Sequence, residues 1–349
     1  ESFRVILICA EPVGEYSMGA RHTEESTAGL ADPSDARSNC GVGVVMDLDG
    51  GTSHRVVNDG LSLVECMEHR GTTGAEENTG DGAGIKLQIP HQFFMNETTF
   101  ELPGFGEYAV GSLFLPQEES AREALVEFAE KRLTAEGLEV LGWRRVPTDN
   151  GGLGETALDS EPAVWQVFVT GPAADEPGKQ FDRRLYVGRR VLENAVEREQ
   201  PAGHERFYVV SLSRKTVVYK GLLTAGQLAE YYPELRDERM RSTFAMVHAR
   251  FSTNTLGAWH LAHPYRRIIH NGEFNTIQGN INWMRARETD LAHPAFNKGS
   301  SSEPSDIEKI KPIIDDPEQS DTASVDNALE LLMLGDRSLP HALRTLVPE

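Results

Sequence analysis

Cys40 is the residue whose type and place in the chain point most directly to chemistry. It begins the apolar run CGVGVVM and follows a polar leader that ends in Ser38 and Asn39. If the chain were cleaved before Cys40, the new α-amino group would have a reference pKa of about 7.7–8.0. That amine is a built-in general base for its own thiol, directly or through one water. The alternative is a small buried core residue, the usual place of a free cysteine.

Two other motifs suggest chemistry that their spacing does not support. The glycine-rich loop Thr79–Gly84 (TGDGAG) has neither the Lys-Ser/Thr pair of a P-loop nor the spacing of a dinucleotide fingerprint, so we expect no phosphate site. His260, His263 and His270 cluster in the sequence, but they fit no helical zinc signature and no cysteine lies near them. We therefore expect no metal site in this chain.

Strands and helices are interleaved from Cys40 onward, and they must position these residues. Short apolar runs predict strands over residues 40–46, 84–90, 108–116, 163–170, 206–213, 216–221, 242–251 and 266–274. Helical spacing of apolar residues predicts helices over residues 53–71, 118–133 and 322–335. The strands that flank Ser213–Lys215 resemble a hairpin, which favours mixed or antiparallel sheets with covering helices. We expect Asp321 or Thr322 to cap the last helix, and Cys66 to lie in the core.

Composition excludes several classes of protein. The 349 residues are 39% hydrophobic and 25% charged, which allows a sizeable core and argues against wholesale disorder. No apolar run approaches the roughly 20 residues that span a bilayer, so we expect no membrane segment. With Lys+Arg 34 against Asp+Glu 54, the net charge of −20 repels nucleic acid and anionic membranes. Only three cysteines are present, which rules out a disulfide framework and suits the reducing cytoplasm.

The excess of acidic residues also bears on the solvent. Arginine outnumbers lysine by about three to one in this chain. An acidic, lysine-poor surface suits a protein that stays solvated in concentrated salt, where charge repulsion is screened. We therefore favour a salt-adapted source over an ordinary acidic cytosolic protein.

Residues 1–39 differ in character from the rest of the chain. The first residue is Glu1 and the first methionine is Met18. Residues 18–39 are small, polar and rich in turn formers. We divide the chain into a leader or propeptide at 1–39, which we expect outside the folded core and disordered, and one domain at 40–349. Residues 1–17 are expected to be an extension that is foreign to the natural product.

Several long blocks of the sequence carry a family resemblance. They are CGVGVVMDLDGGTSHRVVNDGLSLVECMEHRG, NTGDGAGIKLQIPHQFF, KTVVYKGLLTAGQLAEYYPEL, FAMVHARFSTNTLGAWHLAHPYRRIIHNGEFNTIQGNINWMRARE and QSDTASVDNALELLMLGDRSLPHALRTLVPE. Together they resemble the class-II (N-terminal nucleophile) glutamine amidotransferase domain at the start of the glutamate synthase large chain. The resemblance covers residues 40–349, and the match of several long ordered blocks makes it specific.

The resemblance implies a role for each matching residue. Cys40 matches the nucleophile that attacks the glutamine side-chain amide. The Asn271 side-chain amide and the Gly272 backbone N–H match the donors that stabilise the oxyanion. Arg250 matches the clamp for the substrate α-carboxylate, for which a planar guanidinium is suited, and Asp321 matches the acid that receives the α-ammonium.

Further residues match supporting positions of the family. Thr253 is expected to line the substrate pocket. Arg70, and Asp81 and Gly82 of the TGDGAG loop, are expected to pack beside the nucleophile and to shape its turn. His263 and His270 match positions that serve packing and loop shape. One departure is Phe274, where the family usually has isoleucine; the position is a neighbouring packing site.

The resemblance further implies an α+β fold of the N-terminal-nucleophile hydrolase type, an αββα four-layer sandwich of mixed or antiparallel sheets. The implied activity is release of ammonia from L-glutamine through a γ-glutamyl thioester on Cys40. In a complete enzyme the ammonia would reach a 2-oxoglutarate site in synthase domains of the same chain, which hold FMN and an iron–sulfur cluster. Neither cofactor is expected in residues 40–349. A small subunit or ferredoxin is an expected partner.

Two alternatives stay open on the sequence. Another class-II amidotransferase, such as a nucleotide- or aminosugar-forming enzyme, is disfavoured by the long insertion between HRG and GDGAGI and by the NWMRARE block. The other alternative is a silent docking or regulatory domain, which would result if Cys40 is never exposed as an N-terminus.

Overall fold

A computed structural model describes residues 3–6, 41–68, 76–172, 178–249, 257–270, 277–296, 304–314 and 320–347. The strands are β1 Phe3–Ile6, β2 Val42–Asp47, β3 Ala83–Gln88, β4 Tyr108–Leu115, β5 Glu139–Arg145, β6 Ala163–Thr170, β7 Tyr208–Ser213, β8 Thr216–Gly221 and β9 Phe244–Ala249. The α-helices are α1 His54–Cys66, α2 His91–Glu97, α3 Glu119–Ala135, α4 Glu155–Asp159, α5 Gly178–Glu199, α6 Leu228–Tyr231, α7 Ile277–Glu288, α8 Asp306–Lys309, α9 Asp321–Leu334 and α10 Leu339–Leu346.

The strands form two antiparallel sheets. The first has the order β1-β2-β9-β3-β8 and the second the order β5-β6-β4-β7. Helix α1 packs on β2, β9 and β3, whereas α3 and α5 pack on β5 and β7. Strand β8 of the first sheet contacts β4 and β7 of the second, so the two sheets face each other. The layers therefore run helix, sheet, sheet, helix, and the predicted α+β, αββα arrangement is confirmed.

The second sheet lies between two hydrophobic cores, and its strand β4 is therefore apolar on both faces. In β4, Tyr108 and Val110 belong to the core shared with the first sheet, whereas Ala109 and Leu113 belong to the core under α3 and α5. Side chains alternate between the faces of a strand, so a strand with apolar cover on both faces reads as a continuous apolar run. This is why YAVGSLFL is buried along its whole length.

The predicted hairpin at Ser213–Lys215 is wrong. Strand β7 lies beside β4 in the second sheet, and β8 lies beside β3 in the first. The turn therefore carries the chain from one sheet to the other, and the Lys215 carbonyl already accepts a hydrogen bond from the Ile89 N–H, next to β3. A turn signal in the sequence shows that the chain changes direction, but not which strand will pair with the next one.

Other local expectations also need correction. The first helix ends at Cys66, and this cysteine is exposed, while its neighbour Met67 takes the buried position. Residues 266–267 form a bend and residues 268–270 are irregular, whereas the sequence pattern predicts the start of a strand. Several of their backbone groups bond to side chains instead of to a sheet. Strand β5 and helix α5, which the sequence did not predict, complete the second sheet and its cover.

One part of the leader differs from the expectation that residues 1–39 lie outside the fold. Strand β1 pairs antiparallel with β2, with Phe3 opposite Asp47 and Ile6 opposite Val44. These four residues use the edge of β2 that faces away from β9, where backbone groups would otherwise lack strand partners. Residues 7–40 lie outside the described part of the chain.

Candidate active site

The described residues contain some of the predicted site residues and the neighbours of others. Asp81, Gly82 and Asp321 are described, whereas Cys40, Arg70, Arg250, Thr253, Asn271 and Gly272 lie outside the described residues. The geometry of the site is therefore taken from the residues that adjoin these positions: Gly41, Ala249 and His270.

The ends of strands β2, β9 and β3 lie side by side, next to three of the predicted site segments. Ala249, the last residue of β9, donates its N–H to the Gly41 carbonyl at 2.9 Å, just beyond the start of β2. On the other side of β9, Ala83 of β3 lies opposite Ala249. In the sequence, Cys40 precedes Gly41, Arg250 follows Ala249 and Gly82 precedes Ala83. The described neighbours of the predicted nucleophile and of the predicted carboxylate clamp, together with the end of the TGDGAG loop, therefore lie at one end of the first sheet.

A pair of buried histidines attaches the segment that precedes Asn271 to this same end. His248, near the end of β9, donates from Nε2 to the His270 carbonyl at 3.1 Å. His263 stacks on His248 with ring centroids 4.5 Å apart, and its Nδ1 lies 3.4 Å from the His270 N–H, which donates to it. Both partners of His270 are buried. The expected role of His263 and His270 in packing and loop shape agrees with these contacts.

Helix α9 brings Asp321 to His270. Asp321 is the first residue of α9, and its Oδ1 accepts hydrogen bonds from the Thr322 N–H at 2.6 Å and the Thr322 hydroxyl at 3.2 Å. The Thr322 hydroxyl in turn lies 3.4 Å from His270 Nδ1. The acid predicted to receive the substrate ammonium therefore lies one contact away from the segment that leads to the predicted oxyanion donors.

The expected capping role of Asp321 or Thr322 is wrong. Ser320 is the N-cap of α9, with extended backbone angles (φ −60°, ψ 153°) and a side-chain oxygen that accepts from the Ala323 N–H. The helix begins one residue earlier than the apolar pattern indicates, so Asp321 is already helical. An acid in the first turn still interacts favourably with the helix dipole.

Burial near Asp321 affects the protonation of His270. Partial burial lowers the pKa of His270 below its ordinary value, and the nearby Asp321 carboxylate opposes this shift. At neutral pH the imidazole is therefore neutral. The Thr322 hydroxyl has one proton, which it donates to Asp321, so it accepts from His270 when the imidazole is protonated at Nδ1. A neutral imidazole leaves the negative charge of Asp321 available to a cationic group of a substrate.

The TGDGAG loop borders a cavity at the same end of the sheet. This cavity has a volume of about 350 Å³ and is lined by Asp81, Gly82 and Ala249, among others. Gly82 has φ +134°, and a Cβ there would lie 2.9 Å from the Ala262 Cβ. A Cβ on Gly84 would lie 2.3 Å from the His263 carbonyl oxygen. The glycines thus let the TGDGAG loop and β3 approach residues 262–263 closely.

Sequence reasoning missed the buried polar residues that hold these segments, namely His248, Thr322 and Asp326. Asp326 lies on the buried side of α9, fully enclosed, together with Glu330 one turn later. Two carboxylates four residues apart within the helix DTASVDNALELLML are the signal that would have identified the buried acids, because buried charges need partners.

Among the described residues, no group of three or more His, Cys, Asp or Glu side chains is placed to hold a metal ion. No helix in this part of the chain is both long and apolar enough to cross a membrane.

The sequence of this chain is similar to a known protein family. The model of the family "Glutamine amidotransferases class-II" matches residues 40–349. The chain is similar to the NADPH glutamate synthase large chain of Bacillus subtilis (strain 168), with 41% identity over 322 residues, 92% of this chain and 20% of that protein. It is also similar to the chloroplastic ferredoxin-dependent glutamate synthase 2 of Arabidopsis thaliana, with 39% identity over 353 residues, 100% of this chain and 21% of that protein.

A third relative is the NADH glutamate synthase of Saccharomyces cerevisiae, with 40% identity over 330 residues, which cover 92% of this chain and 15% of that protein. The chain thus spans about a fifth or less of the length of these curated relatives.

Proposed function

Because this chain belongs to the class-II glutamine amidotransferase family, we propose that it releases ammonia from L-glutamine for a glutamate synthase. In the proposed reaction the Cys40 thiolate attacks the side-chain carbonyl carbon and forms a tetrahedral oxyanion. Collapse of this intermediate breaks the C–N bond, and the nitrogen leaves as ammonia after it takes a proton from the Cys40 α-ammonium. Water then hydrolyses the γ-glutamyl thioester, which yields glutamate and the free thiol.

Each site residue has one role in this proposal. The α-amino group of a processed Cys40 takes the thiol proton. The Asn271 side chain and the Gly272 N–H donate to the oxyanion, where preorganised donors stabilise the charge that develops. Arg250 binds the α-carboxylate and Asp321 the α-ammonium, with Thr253 beside them. Arg70, Asp81 and Gly82 support the nucleophile.

The observation that supports the proposal best is the convergence of the segments that adjoin these residues. Gly41 bonds to Ala249, His248 bonds to His270, and Thr322 links His270 to Asp321. These positions are up to 280 residues apart in the sequence, from Gly41 to Asp321. A nucleophile, an oxyanion donor and two substrate clamps need to lie close together in space. The residues that adjoin them in the sequence do lie close together.

The proposed wider reaction also needs the synthase domains of a full-length enzyme. We propose that ammonia passes to synthase domains of the same full-length chain, where it aminates a 2-oxoglutarate-derived intermediate. FMN and an iron–sulfur cluster would belong to those domains. Of the three cysteines in this chain, Cys40 is the proposed nucleophile, and the remaining two are too few to hold such a cluster alone. A small subunit or ferredoxin would supply electrons, and the few cysteines favour a cytoplasmic location.

The alternatives carry less support. Another class-II amidotransferase is disfavoured because the relatives with about 40% identity over most of the chain bear the names of glutamate synthases. A silent docking domain would retain the fold but would not need a free N-terminal cysteine. Processing of the leader therefore separates this alternative from the proposed enzyme.

Intact-mass analysis and N-terminal sequencing of the active enzyme test the proposal. We expect residue 1 of the mature chain to be Cys40. In enzyme shown by mass to be processed, Cys40→Ser should lose most glutaminase activity, because an alcohol is far less ionised than a thiol near neutral pH. Full activity in enzyme that retains residues 1–39, or in the serine variant, would overturn the proposal.

The roles of the remaining residues are separable by kinetics in the same enzyme. Asn271→Ala should lower kcat by about 10²–10³ and change KM less, as the loss of one oxyanion donor does. Arg250→Ala and Asp321→Ala should chiefly raise KM, since both residues contact parts of glutamine that do not react. If all three variants changed KM alone, the oxyanion assignment would be wrong.

A further inference from the structure

Asp326 is a fully buried carboxylate on α9 that bonds to the backbone of another segment. Its Oδ1 accepts hydrogen bonds from the Arg267 N–H at 2.7 Å and from the Ile268 N–H at 3.0 Å. Its Oδ2 lies 3.3 Å from the Arg266 guanidinium, which is also buried. Two backbone donors and one cation on a single buried carboxylate make a strong and directional attachment.

Lys86 holds the same segment from the side of the sheet. Its Nζ, on β3, donates to the Arg266 carbonyl at 2.5 Å, and the lysine is 8% exposed. Consecutive backbone groups of residues 266–268 are thus bonded to a buried cation on a strand and to a buried anion on a helix. Because these groups have no strand partner, the two side chains determine where the segment lies.

The attached segment leads directly to the proposed oxyanion donors. Two residues after Ile268 comes His270, whose backbone bonds to His248 and His263, and Asn271 follows in the sequence. Asp326 belongs to the helix that begins with Asp321, the proposed ligand of the substrate ammonium. A single helix therefore carries one end of the substrate site and holds the backbone that leads to the other.

We propose that Asp326 is a positioning residue for glutamine hydrolysis, which sets the segment entering Asn271 at the correct distance from Asp321. The inference rests on the function proposed above. Asp326 itself does not touch the substrate in this proposal; it acts through the backbone of residues 267–268. Because a displacement of about 1 Å of a catalytic group can cost about 10²-fold in rate, the orientation of this segment matters for kcat more than for binding.

The test compares three variants in the full-length processed enzyme. Asp326→Asn keeps a carbonyl oxygen for both N–H donors but loses the charge. Asp326→Ala loses the acceptors as well. Glu330→Gln is the matched control. Glu330 is also buried on α9 and pairs with the side chains of Arg189, Arg266 and Arg267, whereas in the described part of the chain the backbone N–H groups of 267 and 268 bond to Asp326. Steady-state kcat and KM for glutamine are measured per mole of folded enzyme.

We expect Asp326→Ala to lower kcat by about 10–100-fold with KM within about threefold of wild type. Asp326→Asn should restore kcat to within about fivefold, and Glu330→Gln should keep kcat within about twofold although it melts at a lower temperature. Alkylation of Cys40 by iodoacetamide, which needs no oxyanion donor, should proceed at the wild-type rate in all three.

Three outcomes would overturn the inference: a wild-type kcat in Asp326→Ala, an equal loss in Glu330→Gln, or an asparagine variant as impaired as the alanine variant. If Asp326→Ala does not fold, Asp326→Ser replaces it in the test, because the shorter serine side chain cannot accept from both N–H donors. A wild-type kcat in Asp326→Ser would also overturn the inference. A wild-type enzyme without glutaminase activity would instead refute the proposed function.

Discussion

Lys86 shows at the residue scale how the fold changes the chemistry of a side chain. Burial lowers the pKa of Lys86 to about 8 from the ordinary 10.5, although the Asp326 carboxylate opposes this shift. The nearby Glu330 shows the reverse: burial alone would raise its pKa, but Arg189, Arg267 and Arg266 hold it at about 2. The buried environment of Lys86 therefore disfavours its charged form, whereas the arginines around Glu330 stabilise its charged form.

This shift predicts a pH dependence of stability. Between pH 8 and 10.5 the folded chain has released the Lys86 proton while the unfolded chain still holds it. The unfolded state then binds more protons, so the contribution of Lys86 to the free energy of unfolding rises with pH, by about 1.4 kcal/mol per pH unit. Below pH 8 both states are protonated and the contribution is constant.

Urea unfolding of wild type and Lys86→Met from pH 7 to pH 10 measures this dependence. The wild-type free energy of unfolding minus that of the variant should be constant up to pH 8 and then increase. Lys309→Met, which removes a partly exposed lysine paired with Glu136, is the control for loss of a lysine at the surface. A difference for Lys86→Met that stays flat to pH 10 would contradict the prediction.

At the scale of elements, the start of α9 depends on Ser320. The Ser320 side chain accepts from the Ala323 N–H at 3.1 Å and lies 2.8 Å from the Tyr265 hydroxyl. Ser338 is the N-cap of α10 but makes no side-chain capping hydrogen bond. Two serines thus occupy the same position in successive helices, and only one of them satisfies a helix N–H with its side chain.

Ser320→Ala should lower the free energy of unfolding by about 1 kcal/mol, because the cap and its contact to Tyr265 are lost. Ser338→Ala, the matched control, should change it by less than about 0.5 kcal/mol. Denaturant unfolding with a constant m-value measures both. Equal effects of the two substitutions would show that the cap of α9 does not contribute to stability.

At the scale of the whole molecule, the net charge of −20 opposes the compact state. Salt shortens the Debye length from about 30 Å at 0.01 M to about 3 Å at 1 M and so relieves this repulsion. Exposed ion pairs, such as Arg198–Glu199, are weakened as well, but each contributes only about 0–1 kcal/mol. The buried pairs around Glu330 are screened much less.

We therefore expect Tm to rise with KCl up to molar concentrations. Differential scanning calorimetry of the protein in 0.01–2 M KCl measures this, and an uncharged osmolyte at matched osmolality is the control for effects other than screening. A Tm that is the same in dilute buffer and in molar KCl would argue against adaptation to salt. It would leave the proposed activity unaffected, because that proposal rests on individual site residues.

Local patterns in the sequence were enough for the elements with apolar faces. Strands β4 and β6 and helices α3 and α9 lie within two residues of their predicted positions, and α1 begins one residue after its predicted start. A continuous or helical apolar pattern records which faces of an element are buried. The family resemblance added the order of the layers and named Asp81, Gly82 and Asp321, which the structure places at or near one end of the first sheet.

Helix α5 escaped prediction because its buried face contains Arg189 and Arg190, which read as exposed in any apolar pattern. These arginines are buried beside Glu193, and Arg189 also pairs with Glu330 of α9. Strand β5 is only half-buried and carries Arg144 and Arg145, so its pattern is equally weak. The charges of Arg189 and Arg190 are compatible with burial because they have oppositely charged partners, Glu193 on the same helix and, for Arg189, Glu330 far away in the sequence.

The sequence by itself therefore determined the family, the layer order and the type of most elements, since these depend on interactions between near neighbours in the chain or on long matching blocks. Only the tertiary structure decided that β7 and β8 enter different sheets, that Ser320 caps α9, and that Asp326 holds residues 267–268. Each of these depends on a choice among partners that are distant in sequence. Such a choice is made by the packing of the whole molecule, because a donor, an acceptor or a strand edge carries no local mark of the group that will satisfy it.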